Sequence, residues 1–380
     1  MFMNFWYPAE DSESVTNKPL KVQMLGLPFV LWRDEDGKAH CVSNTCSHRG
    51  GSIGDGKVVG NCVQCPYHGW LFNGDGECER IPSLGPIDKI PPRSRIDAYP
   101  VEERYGLIFV FLGDLPEAER PTILPIDEYE DESWRVLRMR YTWKANYVRL
   151  VENQSDPSHV EYVHGGMGMA GENTDYQVPK FKIDETDWGA GTMTVFESPG
   201  SPDHEVGAVS TKGRSDAGSG FHGISMTWTR IRFNPQGDGM NMYIYSVPRN
   251  ELELEIFLIN TRNCRLDPDL DKNFLSRMGV AVEEDRIVVE KLEPAIPSKD
   301  TIGEFIIPAD DVLMRYRDRL KDYEARGWRL DLAEMARHEH RLVYAIPSPA
   351  RREHPDDWAV TEAPRTQAAR TDNNKIRNQA

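Results

Sequence analysis

Two short loops constrain this chain more than any other feature of its 380 residues: "CSHRGG" at 46–51 and "CPYHGW" at 65–70. Each carries one cysteine and one histidine, spaced Cys-x-His in the first and Cys-x-x-His in the second, with sixteen residues between His48 and Cys65. Glycines are dense from 50 to 76, as expected of tight loops wrapped around a small site. A fold that uses Cys46, His48, Cys65 and His68 together must bring both loops to one end of a scaffold.

The cysteine count supports a metal rather than a disulfide framework. Six cysteines lie at 41, 46, 62, 65, 78 and 264, and five of them fall in the first 80 residues. That clustering reads as metal binding in a reducing cytoplasm. The net charge of −16 argues against nucleic acid or an anionic membrane as partner, since both call for basic patches. No apolar run approaches the roughly 20 residues that span a bilayer. The opening "MFMNFWYPAEDSES" lacks a basic region followed by an apolar stretch, so no signal peptide is expected. A chain of 380 residues is long for one core, and two domains are the default expectation.

Residues 1–113 read as all-β. "LKVQMLGLPFVLWRDEDGKAHCV" suggests two short strands around the turn residues Asp34–Gly37, and "YGLIFVFLGD" a buried strand ending at Gly113. A Pro- and acid-rich stretch at 114–135 reads as a linker. Over 136–345 the pattern changes to helices and alternating strands. "ISMTWTRIRFN", "MNMYIYSVP" and "ELEIFLINTRN" are strand-like, with "PQGDG" as a turn. "DKNFLSRMGVAVEEDRIVVEKLEP" predicts a helix stopped by Pro294, and "DVLMRYRDRLKDYEARG" another ended by Gly327. The tail, 346–380, is expected to be flexible or packed on a neighbouring subunit.

The two cysteines and two histidines admit three readings. They are a coincidence of histidines beside buried cysteines, a structural zinc with a Cys2His2 set, or a two-iron cluster whose irons take different ligands. Mixed ligands suit the third, because each loop then hands one ligand to each metal. "CSHRG" followed after sixteen residues by "CPYHGW" resembles the Rieske signature. The resemblance implies that Cys46 and Cys65 hold one iron of a [2Fe–2S] cluster, and His48 and His68 the other. Respiratory-chain Rieske proteins add an inter-loop disulfide, but the corresponding places here are Gly51 and Tyr67, and Trp70 stands where they carry a serine. Fewer hydrogen bonds to the cluster sulfurs imply a low-potential donor, as in the Rieske oxygenases. Cys41, Cys62 and Cys78 are expected as small buried hydrophobes.

A second ligand set lies downstream. "VENQSDPSHVEYVHGG" at 151–166 supplies Asn153, Asp156, His159 and His164. It is similar to the Rieske oxygenase motif Asn-x-x-Asp-x-x-His-x(4)-His, whose histidines bind a non-haem iron(II). Such a site needs two neutral imidazoles and a carboxylate on one face, with positions left open. On an ideal helix five residues turn through about 140°, so the histidines converge only on a distorted helix or with His164 at its end. Gly165–Gly166 favours the second arrangement, and Pro157 permits a helix start near Asp156. The competing reading is two surface histidines on an amphipathic helix. For the third ligand, helical phase selects Asp285. In a helix beginning near 272, Phe274, Met278, Ala281, Val282, Val289 and Leu292 form an apolar stripe with Asp285 in its middle, while Glu283, Glu284 and Glu290 point away. A carboxylate on an apolar face is costly unless it binds metal or pairs, here with Arg286 or another base. "EEDRIVVE" also resembles the family segment that supplies the carboxylate.

The resemblance runs from "FWYPAE" through Asp285. It implies an α+β chain: a Rieske domain, then a helix-grip (START-like) catalytic domain with a curved antiparallel sheet and long helices, assembled as a homotrimer. It further implies a terminal oxygenase. Electrons from NAD(P)H would arrive through a separate flavin reductase, with or without a ferredoxin, at the cluster and then at a mononuclear Fe(II). There O2 would be activated to hydroxylate, demethylate or dihydroxylate a small aromatic or heterocyclic substrate. Asp156 would connect the two sites. The sequence shows no nucleotide-binding glycine fingerprint, so the reductase is expected to be another protein. Two rival classes are an electron carrier without chemistry of its own and a zinc-stabilised ligand-binding module. The second ligand set counts against the carrier, and iron content separates the zinc module.

Overall fold

A turn hidden in the sequence sets the first sheet. Leu25 and Gly26 both take left-handed backbone, with φ of 53° and 80°, and fold the chain back on itself. The segment expected as two strands is therefore three: Leu20–Met24, Leu27–Arg33 and Ala39–Ser43, with Ala98–Tyr99 on the far edge. Leucine at positive φ is no turn signal, whereas Asp34 and Gly37 are. The computed structural model describes residues 1–86, 89–165, 171–198, 205–206, 209–210, 213–234 and 237–366.

The N-terminal part is all-β apart from short 3-10 turns. A second small sheet, Lys57–Val59, Cys62–Gln64, Leu71–Phe72 and Cys78–Arg80, carries the two Cys/His loops. A third places Leu107–Leu112, every residue buried, between Phe5–Asp11 and Val101–Arg104. Phe5 reaches out of this domain to Tyr323 (ring centroids 4.8 Å) and Trp328 (5.7 Å). One apolar core thus continues from the first strand into the second half of the chain.

That half is built on a seven-stranded antiparallel sheet. Its order is Arg135–Trp143, Glu253–Arg262, Gly239–Asn250, Met226–Arg232, Gly213–His222, Gly189–Ser198 and Ile183–Glu185. Helices α1 (Tyr147–Ser155), α2 (Val160–Val163), α3 (Asp271–Val289) and α4 (Asp311–Ala325) follow. Phe274 and Met278 of α3 pack on Met139, Met240 and Met242 of the sheet, while Tyr316 of α4 meets Phe221 (5.1 Å). Full burial of each such side chain contributes roughly 1.5–3 kcal/mol. An all-β domain followed by a helix-covered antiparallel sheet is the expected fold class.

Several expectations change in detail. α3 stops at Val289, so Leu292 leaves the stripe and is 37% exposed. Of the expected "PQGDG" turn, Pro235 and Gln236 lie outside the described residues. Residues 114–134 carry 3-10 turns at Glu117–Glu119 and Asp127–Tyr129, and Glu128 accepts hydrogen bonds from Tyr243 and Thr261 of the sheet. Residues 346–366, expected to be loose or held by a neighbour, fold instead on their own chain. Ser348 and Arg351 bond to buried Asp97, Thr361–Glu362 pairs with Tyr344–Ala345, and Arg365 reaches Asp114. A few well-placed polar anchors and the buried Ala363 suffice where the composition looked loose. Residues 367–380 lie outside the described set. Among the described residues no helix is long and apolar enough to cross a membrane.

Candidate metal centres

The two Cys/His loops have the same backbone. In each, the cysteine carbonyl accepts the N–H of a glycine four residues on (Gly50 to Cys46, 2.9 Å; Gly69 to Cys65, 3.0 Å). The cysteine N–H in turn donates to the carbonyl five residues on (Gly51 and Trp70, both 2.9 Å). Gly50 and Gly69 sit at φ of 69° and 74°, a conformation that penalises a side chain. The loops thus present their cysteines inward and their histidines outward.

Cys46 and Cys65 are 3% and 1% exposed and lie against each other. His48 and His68 are exposed and face one another through their Nδ1 atoms at 3.1 Å. Burial, reinforced by Cys65, pushes the Cys46 thiol up to about 12, so its thiolate at neutral pH calls for a cation to hold it. Some loss of hydration against its neighbours, and then the adjacent His68, lower the pKa of His48, which favours the neutral, metal-binding form. A Cβ on Gly51 would come within 2.9 Å of the Cys65 sulfur, so a side chain here would force the two loops to shift. Trp70 stacks on His48, with centroids 4.7 Å apart and planes within 4°. The pairing is thiol with thiol and imidazole with imidazole. That is the donor division of a cluster whose two irons take different ligands.

The second set converges through broken helices. Asn146 caps α1, its side chain accepting from Val148 N–H. α1 ends at Ser155, because the residue before Pro157 is kept out of helical backbone: Asp156 has φ −96° and ψ 116°. The Asp156 carboxylate then accepts Ser158 N–H at 2.7 Å. His159 and His164 are the two caps of the one-turn α2, so the 140° problem of a continuous helix does not arise.

The result is a facial arrangement. His159 Nε2 and His164 Nε2 each lie 3.5 Å from the same oxygen, Asp285 Oδ1. Among the described residues this trio is the group of three or more ligand-type side chains whose donor atoms all fall within 4.8 Å. Donors about 2.1 Å from a metal and at right angles would be about 3 Å apart, so these residues fit a single ion after a small contraction. Asp285 is 6% exposed, and Arg286 is bonded to Glu283 and Glu290 rather than to it.

Two partners of Asp285 come from the last turn of α1. Asn153 Nδ2 donates to Oδ1 (3.3 Å) and Gln154 Nε2 to Oδ2 (3.1 Å). His159 Nδ1 lies 3.7 Å from Asp156. Burial alone would lower the His159 pKa, but Asp156 and then Asp285 outweigh it and raise it. Gln154 carried no sequence signal beyond its neighbour Asn153. Glu284, expected to point away, reaches His164 Nδ1 at 3.3 Å.

Comparison with known proteins fits both halves. The Rieske [2Fe-2S] domain model matches residues 5–92, and the model for the vanillate O-demethylase oxygenase C-terminal domain matches 143–326. The chain is a Rieske non-haem iron oxygenase subunit. The iron-sulfur subunit TsaM1 of the toluene-4-sulfonate monooxygenase system of Comamonas testosteroni is 27% identical over 349 residues. That match spans 85% of this chain and 98% of that protein. The oxygenase component of dicamba O-demethylase from Stenotrophomonas maltophilia is 28% identical over 303 residues, 76% of this chain and 87% of that one. Among solved structures, NdmA of Pseudomonas putida CBB5 with caffeine superposes with a TM-score of 0.71 at 25% identity, covering 85% and 91% of the two chains. As a Rieske oxygenase terminal component, the chain works with a Rieske [2Fe–2S] cluster, a mononuclear iron and O2, and draws NAD(P)H electrons through a separate reductase.

Proposed function

We propose that Cys46 and Cys65 hold one cluster iron, His48 and His68 the other, and that His159, His164 and Asp285 hold the catalytic iron(II). The observation that carries the iron assignment is the pair of Nε2 atoms at equal distance from one buried carboxylate oxygen. When bound, the cluster supplies single electrons and the iron binds and activates O2. The protein's own part is positional. Asp285 brings the one negative charge, Asn153 and Gln154 orient it, and Asp156 is placed to accept the ring N–H of His159. A small aromatic or heterocyclic compound is the substrate class, in line with toluene-4-sulfonate, dicamba and caffeine in the relatives' names. Monooxygenation, demethylation and dihydroxylation are all compatible with the arrangement.

The domain limits proposed are 1–113 for the Rieske domain and 136–345 for the catalytic domain, with 114–135 between them. The working assembly is a homotrimer in which Asp156 of one subunit faces the cluster of the next. Its reductase is a separate protein, and six cysteines with no disulfide among them suit a reducing cytoplasm. Metal analysis of Asp285→Ala tests the iron reading. The expected result is an unchanged cluster absorption spectrum with the mononuclear iron and turnover lost. Full iron content and full activity in that variant would sink the assignment.

A further inference from the structure

His164 is gripped at both ring nitrogens by consecutive residues of one helix. Its Nε2 lies 3.5 Å from Asp285 Oδ1 and its Nδ1 3.3 Å from Glu284 Oε2. Neighbouring positions on a helix project about 100° apart. Asp285 therefore points into the site, while Glu284 reaches sideways to the end of α2. His164 is 7% exposed, so its N–H needs a protein acceptor.

A neutral imidazole carries its proton on one nitrogen and its lone pair on the other. With the proton on Nδ1, Glu284 receives a hydrogen bond and the Nε2 lone pair is free for a metal. With the proton on Nε2, a lone pair would face the Glu284 carboxylate and the N–H would block the metal. The geometry matches that of His159, where Asp156 stands behind Nδ1 and Asp285 before Nε2. The difference is the source: Asp156 is local to its histidine, whereas Glu284 comes from another helix.

We propose that Glu284 is the positioning residue of His164, accepting its Nδ1–H and thereby turning the bare Nε2 toward the iron. The inference rests on the iron site assigned above. It gives α3 two tasks at adjacent positions, one carboxylate for the metal and one for the tautomer of a ligand. A solvated surface carboxylate is the competing account. The Glu284 side chain, however, is only 22% exposed and its oxygen faces a buried N–H.

The test uses the full chain with its cluster loaded, stripped of mononuclear iron and titrated with Fe(II) against a chelator. Glu284→Ala and Glu284→Met, neither of which offers a comparable acceptor, are expected to weaken Fe(II) binding about 10–100-fold. Glu284→Gln, whose amide oxygen still accepts, is expected to stay within about threefold of wild type. Glu283→Ala, at a residue bonded to Arg286 on the exposed side of α3, should match wild type. Cluster absorption should be unchanged throughout, and whichever acceptor-free variant folds decides the question. Wild-type affinity in that variant, or an equal loss in Glu284→Gln, overturns the positioning role. His164→Ala separates the two levels. If it too binds Fe(II) as wild type does, the iron assignment itself fails, whereas if it alone loses iron only the role of Glu284 falls.

Discussion

Arg317 on α4 donates from Nε to Glu152 Oε1 on α1 at 2.7 Å, and the two side chains are 2% and 6% exposed. Arg149, one turn earlier on α1, also bonds Glu152, at 3.2 Å, and holds the carbonyl of Pro294. Glu304 closes the set by pairing with both arginines. Glu152 immediately precedes Asn153 and Gln154 on α1, so this network anchors the helix that carries them.

Removing Arg317 takes one of two arginine partners from both Glu152 and Glu304 and leaves Arg149 to serve the two carboxylates. Arg317→Met is expected to lower unfolding stability by about 1–3 kcal/mol, because Glu152 loses its Arg317 hydrogen bond but keeps Arg149, as measured by urea denaturation of the cluster-loaded protein. The double variant Glu152→Met with Arg317→Met should recover part of that loss, because Arg149 and Glu304 then remain as a matched pair. A single-variant loss below about 1 kcal/mol would mean that Arg149 alone satisfies Glu152 and Glu304.

Gln154 offers a narrower test of how the carboxylate ligand is held. Its amide is bonded to the Asp285 oxygen that does not face the histidines. A hydrogen bond to a charged group is worth about 1.5–3 kcal/mol, so Gln154→Leu should weaken Fe(II) binding about tenfold in chelator competition. Gln154→Glu should weaken it further by setting a second negative charge against Asp285. Equal affinity in Gln154→Leu and wild type would leave the orientation of Asp285 to Asn153 alone.

Acid sensitivity should trace in part to Glu128, which bonds to two interior strands of the sheet. Its half-buried position would raise its pKa, but hydrogen bonds from Tyr243, Asn241 and Thr261 outweigh this and hold it below the usual value. A carboxyl lowered in the folded state contributes stability above its unfolded value of about 4.3, and loses it as pH falls through the folded value. Glu128→Gln, which sets an amide N–H among three donors, should be less stable than wild type at pH 7. The gap should narrow below about pH 4. A gap independent of pH from 7 to 3 would show that shape rather than charge matters at this position.

The sequence exposes some of this architecture and hides the rest for physical reasons. The Cys/His loops are legible because ligand types and left-handed glycines are both written in the residue names. Asp285 is legible because a carboxylate on an apolar stripe violates helical phase. Leu25 at positive φ leaves no trace, since the turn is imposed by the pairing of the strands around it. Glu284 is missed for a related reason: phase places a Cα, but a long side chain can still reach 100° round the helix to another element. Arg351 on Asp97 is a contact 254 residues apart, invisible to any local pattern.

The remaining prediction concerns the route between the two metal sites. His48 and His68 lie on the exposed tips of their loops, and Tyr67 beside them is 60% exposed. Tyr162 on α2, between His159 and His164, is 61% exposed, and elsewhere Ile302 and Phe305, in the segment leading to α4, are 75% and 91% exposed. Large apolar side chains left uncovered at both centres are what a subunit interface would bury. Asp156 behind His159 would then stand between the iron of one subunit and the cluster of the next. In the proposed homotrimer Cys46→Ala would disable a cluster and His159→Ala an iron site, so each variant alone should be inactive. Co-expressed and purified as mixed trimers, the two should regain turnover, because some interfaces join an intact cluster to an intact iron. A route confined to one chain gives no such rescue, since every chain then carries one broken centre. The measurement is O2-dependent turnover of an aromatic substrate accepted by wild type, with trimer composition verified by mass spectrometry. Verified mixed trimers no more active than either parent would confine electron transfer to the single chain and leave Asp156 as a support for His159 alone.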